Sequence, residues 1–334
     1  MKLPRLLLLA TGGTIAGAAA SAVQTQGYQA GAVPVERLVA AVPELAGVAQ
    51  IQAEQVYAIG SQHMSATNWL GLAARIQLAM ADPQLDGIVI THGTDTIEET
   101  ALFLDLVCPR LKPIVLTGAM RPATAVGADG PMNLFAAARV AADPRAQCAG
   151  AMVVMNDQVL APHQACKAHT VRTDAFIARE GAPLALMLDA RPVWRVDAEQ
   201  AAALRPSLAA PLSSLPSQLP RVDLLAQQVD IDTGIVRWLL DRGSRGIVVA
   251  GTGHGSLSKP LHEALHEAVA AGCVVARASR VAGGPVQRNA QINDDENGFV
   301  ATGFLPPHKA RLVISLALAA GLDRDAIQDL LLQY

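Results

Sequence analysis

Short unbroken apolar runs punctuate the chain, and between them apolar residues recur every three or four positions. Leu6–Ala10, Gly87–Thr91, Ile114–Thr117 and Ala151–Met155 are such runs. Their length and composition predict strands buried on both faces. The periodic stretches predict helices. Thr67 is placed to cap one that runs toward Asp82, where Pro83 stops it. A second follows Thr96, with Glu98 and Glu99 at the positive end of its dipole. A third starts near Pro131 and carries an alanine-rich face to Ala142. This alternation predicts an α/β fold with a doubly wound, mostly parallel sheet.

The pattern breaks after Trp194. Residues 206–220 contain Pro206, Pro211, Pro216, Pro220 and several serines, which is a linker composition. Alternation then resumes. Thr233–Asp241 and Leu257–Ala271 read as helices, Gly246–Ala250 and Val274–Ser279 as strands, and His308–Ala320 and Arg324–Leu332 as closing helices. The expected division is an N-terminal catalytic domain over 1–205, a Pro/Ser-rich linker over 206–222, and a smaller α/β C-terminal domain over 223–334. No internal repeat suggests a solenoid.

Composition narrows the function classes. Of 334 residues, 51% are hydrophobic and only 16% charged, with a formal charge of −3, so a nucleic-acid or charged-membrane surface is not expected. No apolar run is long enough to span a bilayer. Lys2 and Arg5 before Leu6–Ala10 imitate a secretory signal, but the apolar stretch stops at Thr11-Gly12-Gly13. That reading predicts a cytoplasmic protein. Cys108, Cys148, Cys166 and Cys273 lack CxxC spacing, so free thiols are expected rather than a zinc site.

In open α/β sheets, ligands bind beyond the carboxyl ends of the strands. Three segments qualify. Ala10–Gly17 (ATGGTIAG) follows the first strand and presents Thr14 on a glycine turn. Thr91–Thr96 (THGTDT) follows another strand, opens a helix, and offers Thr94 and Asp95. Ile59–His63 (IGSQH) offers Ser61 and Gln62. Each has a plainer reading. The first lacks a full GxGxxG and a phosphate-loop lysine, which argues against a nucleotide site. Thr94 and Asp95, taken singly, suit a helix cap. The coincidence of hydroxyls, a carboxylate and glycines at several strand ends favours chemistry.

These segments resemble the two-domain bacterial L-asparaginases of the exported-enzyme type. Glu98–Thr100, Gly118–Pro122 (GAMRP), Ala128–Pro131 (ADGP), Val153–Asp157 (VVMND) and Ser279–Val281 (SRV) also match, in the family order, across essentially the whole chain. The resemblance implies hydrolysis of the side-chain amide of L-asparagine through a threonine acyl-enzyme, without cofactor or metal. It makes Thr14 a nucleophile with Tyr28 as its proton partner, and joins Thr94, Asp95 and Lys167 in a hydrogen-bonded group. Which threonine attacks first stays open. Ser61, Gln62, Thr94 and Asp95 would bind the substrate's α-carboxylate and α-ammonium, with His254 and Gln291 as further contacts. The plainer alternatives are a surface role for Lys167 and a packing role for Tyr28. The family assembles as a homotetramer of intimate dimers, each site completed by its neighbour's C-terminal domain. The cysteine positions of the exported relatives are filled by Asp82 and Arg110, so no disulfide is expected.

Three positions depart from the family pattern. Gln291 stands where a glutamate is usual, His254 where asparagine is common, and His63 where aspartate is found. Asp294, Asp295 or Glu296 could restore the charge if that loop is shifted. Competing expectations are a dual glutaminase-asparaginase, a weakly catalytic amino-acid-binding relative, and a nucleotide-binding oxidoreductase.

Overall fold

The computed structural model describes residues 2–212 and 214–334. The chain divides into two compact units, Met1–Leu204 and Arg205–Tyr334. In the first, β1 (Arg5–Gly12), α1 (Val35–Ala40), β2 (Gln50–Ile59), α2 (Ala66–Ala81), β3 (Gly87–Thr91), α3 (Ile97–Val107), β4 (Ile114–Thr117), α4 (Gly130–Ala141) and β5 (Ala151–Met155) follow in order. Short strands β6 (Gln158–Leu160), β7 (Ala165–Lys167), β8 (Phe176–Ala178), β9 (Ala185–Leu188) and β10 (Arg191–Trp194) come next, then α5 (Ala198–Ala203). Eight strands form one sheet in the order β10-β9-β6-β5-β4-β3-β1-β2. It is parallel from β2 to β5 and antiparallel from β5 to β10. β7 and β8 form a separate two-stranded hairpin.

The pleat explains the unbroken apolar runs. Successive side chains of β1 point to opposite faces, and both faces are covered. Leu6, Leu8 and Ala10 join a core with Val89, Val115, Met152 and the small side chains Ala137 and Ala141 of α4. Leu7 and Leu9 are equally buried on the other face. Alanines on α4 let that helix lie close against β3, β4 and β5.

The second unit is smaller. Its elements are β11 (Val222–Ala226), α6 (Gly234–Asp241), β12 (Gly246–Gly251), α7 (Lys259–Ala270), β13 (Val274–Ser279), α8 (Asp294–Asn297), β14 (Phe299–Ala301), α9 (Pro307–Ala319) and α10 (Arg324–Leu331). Its four strands pair in sequence order, all parallel. Ile247, Val249 and Val275 pack with Leu261, Leu265 and Ala268 of α7. In the proline-rich segment, Leu208 and Leu212 are buried.

Two local expectations change. Polar β2 is an edge strand that the apolar pattern does not announce. The cap of α2 is Ser65, not Thr67. Asn68 N–H donates to Ser65 Oγ at 3.2 Å, and Ser65 N–H donates to Asn68 Oδ1 at 3.0 Å. This reciprocal box satisfies two amides, whereas Thr67 already lies inside the first turn.

Removing that box should be measurable without touching the chemistry. Ser65→Ala should cost about 1 kcal/mol and lower Tm by roughly 2–4 °C. A calorimetric Tm equal to wild type would show that the cap contributes nothing.

Candidate active site

β1 ends in an irregularity that builds the first half of the site. Register between β1 and β2 shifts between Ala10 and Gly12. Gly12 and Gly13 both take positive φ, at 104° and 79°. The chain then enters a single 3-10 turn, Thr14–Ala16. Thr14 is buried, and its Oγ1 lies 2.6 Å from the Tyr28 hydroxyl. Tyr28 comes from a loop tied on both sides. Ala18 and Gln29 exchange backbone hydrogen bonds of 3.0 Å, and Gly31 N–H donates to the Gly13 carbonyl at 3.1 Å.

β3 supplies the second half. After Thr91 the chain turns through Gly93, and buried Thr94 and exposed Asp95 follow before α3. Lys167, at the end of β7, reaches both. Its Nζ donates to Thr94 Oγ1 at 2.8 Å and to Asp95 Oδ1 at 2.5 Å. The lysine side chain is 15% exposed and the aspartate 58%, so the pair has one protected and one solvent-facing member.

Ser61 ties the end of β2 to the second half. It follows β2 in a short turn, is buried, and accepts Asp95 N–H on Oγ at 3.2 Å. Its carbonyl accepts the Thr96 hydroxyl at 3.0 Å. Since Ser61 Oγ already accepts, its own proton is available to a ligand. Gln62 is exposed and folds over Gly60, where an added Cβ would come within 2.5 Å of Oε1.

The remaining two candidates lie in the second unit. His254 sits in the turn after β12, and its Nε2 accepts Gln287 N–H at 3.2 Å. Gln291 is exposed, three residues before α8. Of the three nearby carboxylates, Glu296 is exposed and the other two are committed to arginines. Asp294 is fully buried against Arg277, and Asp295 is paired with Arg288. His63 is exposed at the end of the Ser61 turn.

Family profiles match most of the chain. The one described as asparaginase, N-terminal, covers residues 5–200, and the glutaminase/asparaginase C-terminal domain covers 221–331. The chain belongs to the asparaginase family. It is 41% identical to L-asparaginase 2 of Escherichia coli (strain K12), over 100% of this chain and 94% of that one. It is 39% identical to the glutaminase-asparaginase of Pseudomonas fluorescens biotype A, over 100% and 91%. The crystal structure of a probable cytoplasmic L-asparaginase from Campylobacter jejuni is similar, with a TM-score of 0.91 and 38% identity, covering 99% of this chain and 100% of that one.

Two residues that sequence reasoning quoted without assigning also form hydrogen bonds near these candidates. His92 is fully buried inside the THGTDT motif. Trp69 Nε1–H donates to Thr100 Oγ1 at 2.8 Å, and Thr100 Oγ1 lies 3.0 Å from His92 Nε2. The indole can only donate, so the threonine proton turns to Nε2. The other ring nitrogen, Nδ1, then carries the proton toward the Gly93 carbonyl, 2.8 Å away. Asp129 was likewise quoted and not assigned. It accepts the amides of Met120 (2.9 Å to Oδ2) and Arg121 (3.0 Å to Oδ1) after β4. Among the described residues, no group of three or more His, Cys, Asp or Glu side chains could hold a metal ion.

Burial pushes the His92 imidazolium down to a pKa of about 4, against a smaller upward pull from the Gly93 carbonyl. The unfolded chain takes this proton near pH 6.5. Between those values the unfolded state binds more protons, so stability falls as pH falls. The loss should reach on the order of 3 kcal/mol by pH 4. Urea unfolding from pH 7 to 4 should show a shallower acid slope in His92→Gln than in wild type. Parallel slopes would mean that His92 does not fold in the neutral form.

Proposed function

We propose that this protein hydrolyses the side-chain amide of L-asparagine to L-aspartate and ammonia through a covalent threonine ester. The observation that carries the reading is the pairing of two threonines with different partners on neighbouring loops. Thr14 meets the Tyr28 phenol at 2.6 Å, and Thr94 meets the Lys167 ammonium at 2.8 Å.

The partners distinguish the roles. A hydroxyl oxygen that accepts from an ammonium is a poorer nucleophile, because its lone pair is engaged by a cation. Thr94 is in that position and Thr14 is not. Thr14 Oγ1 therefore attacks the amide carbon, and its proton passes through Tyr28 toward the leaving nitrogen. The C–N bond breaks, ammonia departs, and aspartate remains esterified to Thr14. Water then adds to the ester carbon, the Thr14 oxygen recovers its proton, and aspartate leaves. Lys167 donates to the Asp95 carboxylate and turns the Thr94 proton away from itself, toward the substrate or the attacking water.

Recognition follows from the free edges of the same groups. The solvent-facing Asp95 carboxylate suits the α-ammonium. The Ser61 hydroxyl and Gln62 amide suit the α-carboxylate. We assign His254 and Gln291 to the site of a neighbouring copy in a homotetramer, where neutral Gln291 offers a hydrogen bond without charge. A cytoplasmic location is part of the same proposal, supported by the likeness to the Campylobacter jejuni protein, itself described as a probable cytoplasmic L-asparaginase. Glutamine is the second substrate to test, since relatives named for either activity match almost equally well. Its extra methylene is worth about 1–3 kcal/mol of discrimination.

Ammonia release should be at least several-fold faster, as kcat/KM, on asparagine than on glutamine. Thr14→Ala should fold normally and lose turnover by at least on the order of 10³-fold. A folded Thr14→Ala protein with most of its turnover would exclude Thr14 as nucleophile.

Lys167→Met tests the second threonine. It should lower kcat by roughly 10²-fold or more while leaving circular dichroism unchanged. A loss confined to thermal stability, with normal kcat, would return Lys167 to a surface role.

A further inference from the structure

Arg277, on β13, and Asp294, at the start of α8, are both fully buried. A guanidinium has five N–H donors, and here each has an acceptor. Nε donates to Asp294 Oδ1 at 2.5 Å. Nη2 donates to Asp294 Oδ2 at 2.7 Å and to the Gln287 carbonyl at 3.2 Å. Nη1 donates to the carbonyls of Gly255 at 3.1 Å and His254 at 3.4 Å. Asp294 Oδ2 also accepts the Asn289 N–H at 2.8 Å.

The pair thus holds three carbonyls and one amide from two separate segments. One segment is the turn of His254 and Gly255. There Gly255 has φ +75, and an added Cβ would stand 3.0 Å from Nη1. The other is Gln287–Asn289, which leads directly to Gln291. The His254 ring closes the loop by accepting Gln287 N–H.

Stability alone is a weak reason to keep such a pair. Desolvating two charges costs as much as their attraction returns, and a well-packed apolar pair of similar volume is often as stable. An apolar pair cannot hold four backbone groups in register. We propose that Arg277 and Asp294 are positioning residues that set the His254 turn and the Gln291 segment at a fixed spacing, so that both side chains reach one substrate. This rests on the assignment of His254 and Gln291 above.

The test is the double variant Arg277→Met/Asp294→Leu in the full chain, which removes both charges together. It should still fold, because neither charge is left alone, with a Tm lowered by the three carbonyls and one amide that lose their partners. Its KM for asparagine should rise about five-fold or more, the worth of one lost neutral hydrogen bond, with kcat changed less. A folded double variant with unchanged KM would reduce the pair to core packing. If the double variant does not fold, hydrogen exchange on wild type decides. The Asn289 amide should exchange more slowly than the amides of Arg288, Ala290 and Gln291, and exchange at the common rate would overturn the proposal. Absence of asparagine hydrolysis in wild type would remove the parent assignment instead and leave the exchange result standing by itself.

Discussion

Thr14 and Thr94 share a site because two backbones touch with no side chain between them. A Cβ added at Gly13 would lie 2.3 Å from Gly93 Cα, and one added at Gly93 would lie 2.6 Å from Ser61 Oγ. A third approach extends the stack, since a Cβ at Gly118 would come 2.6 Å from the His92 carbonyl. The loops after β1, β3 and β4 therefore meet backbone to backbone at the carboxyl edge of the sheet, and the loop after β2 meets Gly93 through the Ser61 side chain. The buried chain from Trp69 through Thr100 to His92 braces this contact from below by fixing the Gly93 carbonyl. A neutral histidine does this without placing a second cation under the site.

The charges above that contact are few and matched. Lys167 supplies one cation and Asp95 one anion, and the lysine donates to both the carboxylate and Thr94. A zwitterionic amino acid brings one charge of each sign. In the proposed reading, the Asp95 carboxylate meets the ammonium from its exposed side, while hydroxyls and amides meet the carboxylate. Because Lys167 is largely buried and Asp95 largely exposed, water screens the half that must exchange ligands and leaves the other half fixed.

How much of this could be read in the sequence depended on where each residue lies. Strands buried on both faces were plain, and β3, β4, β5 and β13 have the bounds their apolar runs suggested. β2 was missed because Gln50–Ile59 is polar and half exposed at the sheet edge, so no run marks it. Thr67 was named because threonine is a capping residue, and the hydrogen bond that makes Ser65 the cap needs coordinates. Thr14, Ser61, Thr94 and Asp95 were legible from the rule that chemistry sits at strand ends. Lys167 and Tyr28 were not. The lysine arrives from 73 residues beyond Thr94, and Tyr28 from an irregular loop, so only resemblance to relatives placed them. The fate of Asp294 was hidden for a different reason. A carboxylate committed to a buried arginine looks, in sequence, like any acidic residue beside a binding loop.

The hairpin that carries Lys167 is the one contributor to the first unit's candidate set that belongs to neither the main sheet nor its adjoining loops. It hangs between β6 and β9 and meets Thr94 and Asp95 through a single side chain. Mutation within residues 161–184 can reshape the wall of the site without re-registering any strand that holds Thr14 or Thr94. The fold thus separates the strands that lead to Thr14 and Thr94 from a hairpin tied to the Thr94 loop through Lys167. Divergence in accepted side-chain length within such a lineage should accumulate in the hairpin before it reaches the sheet.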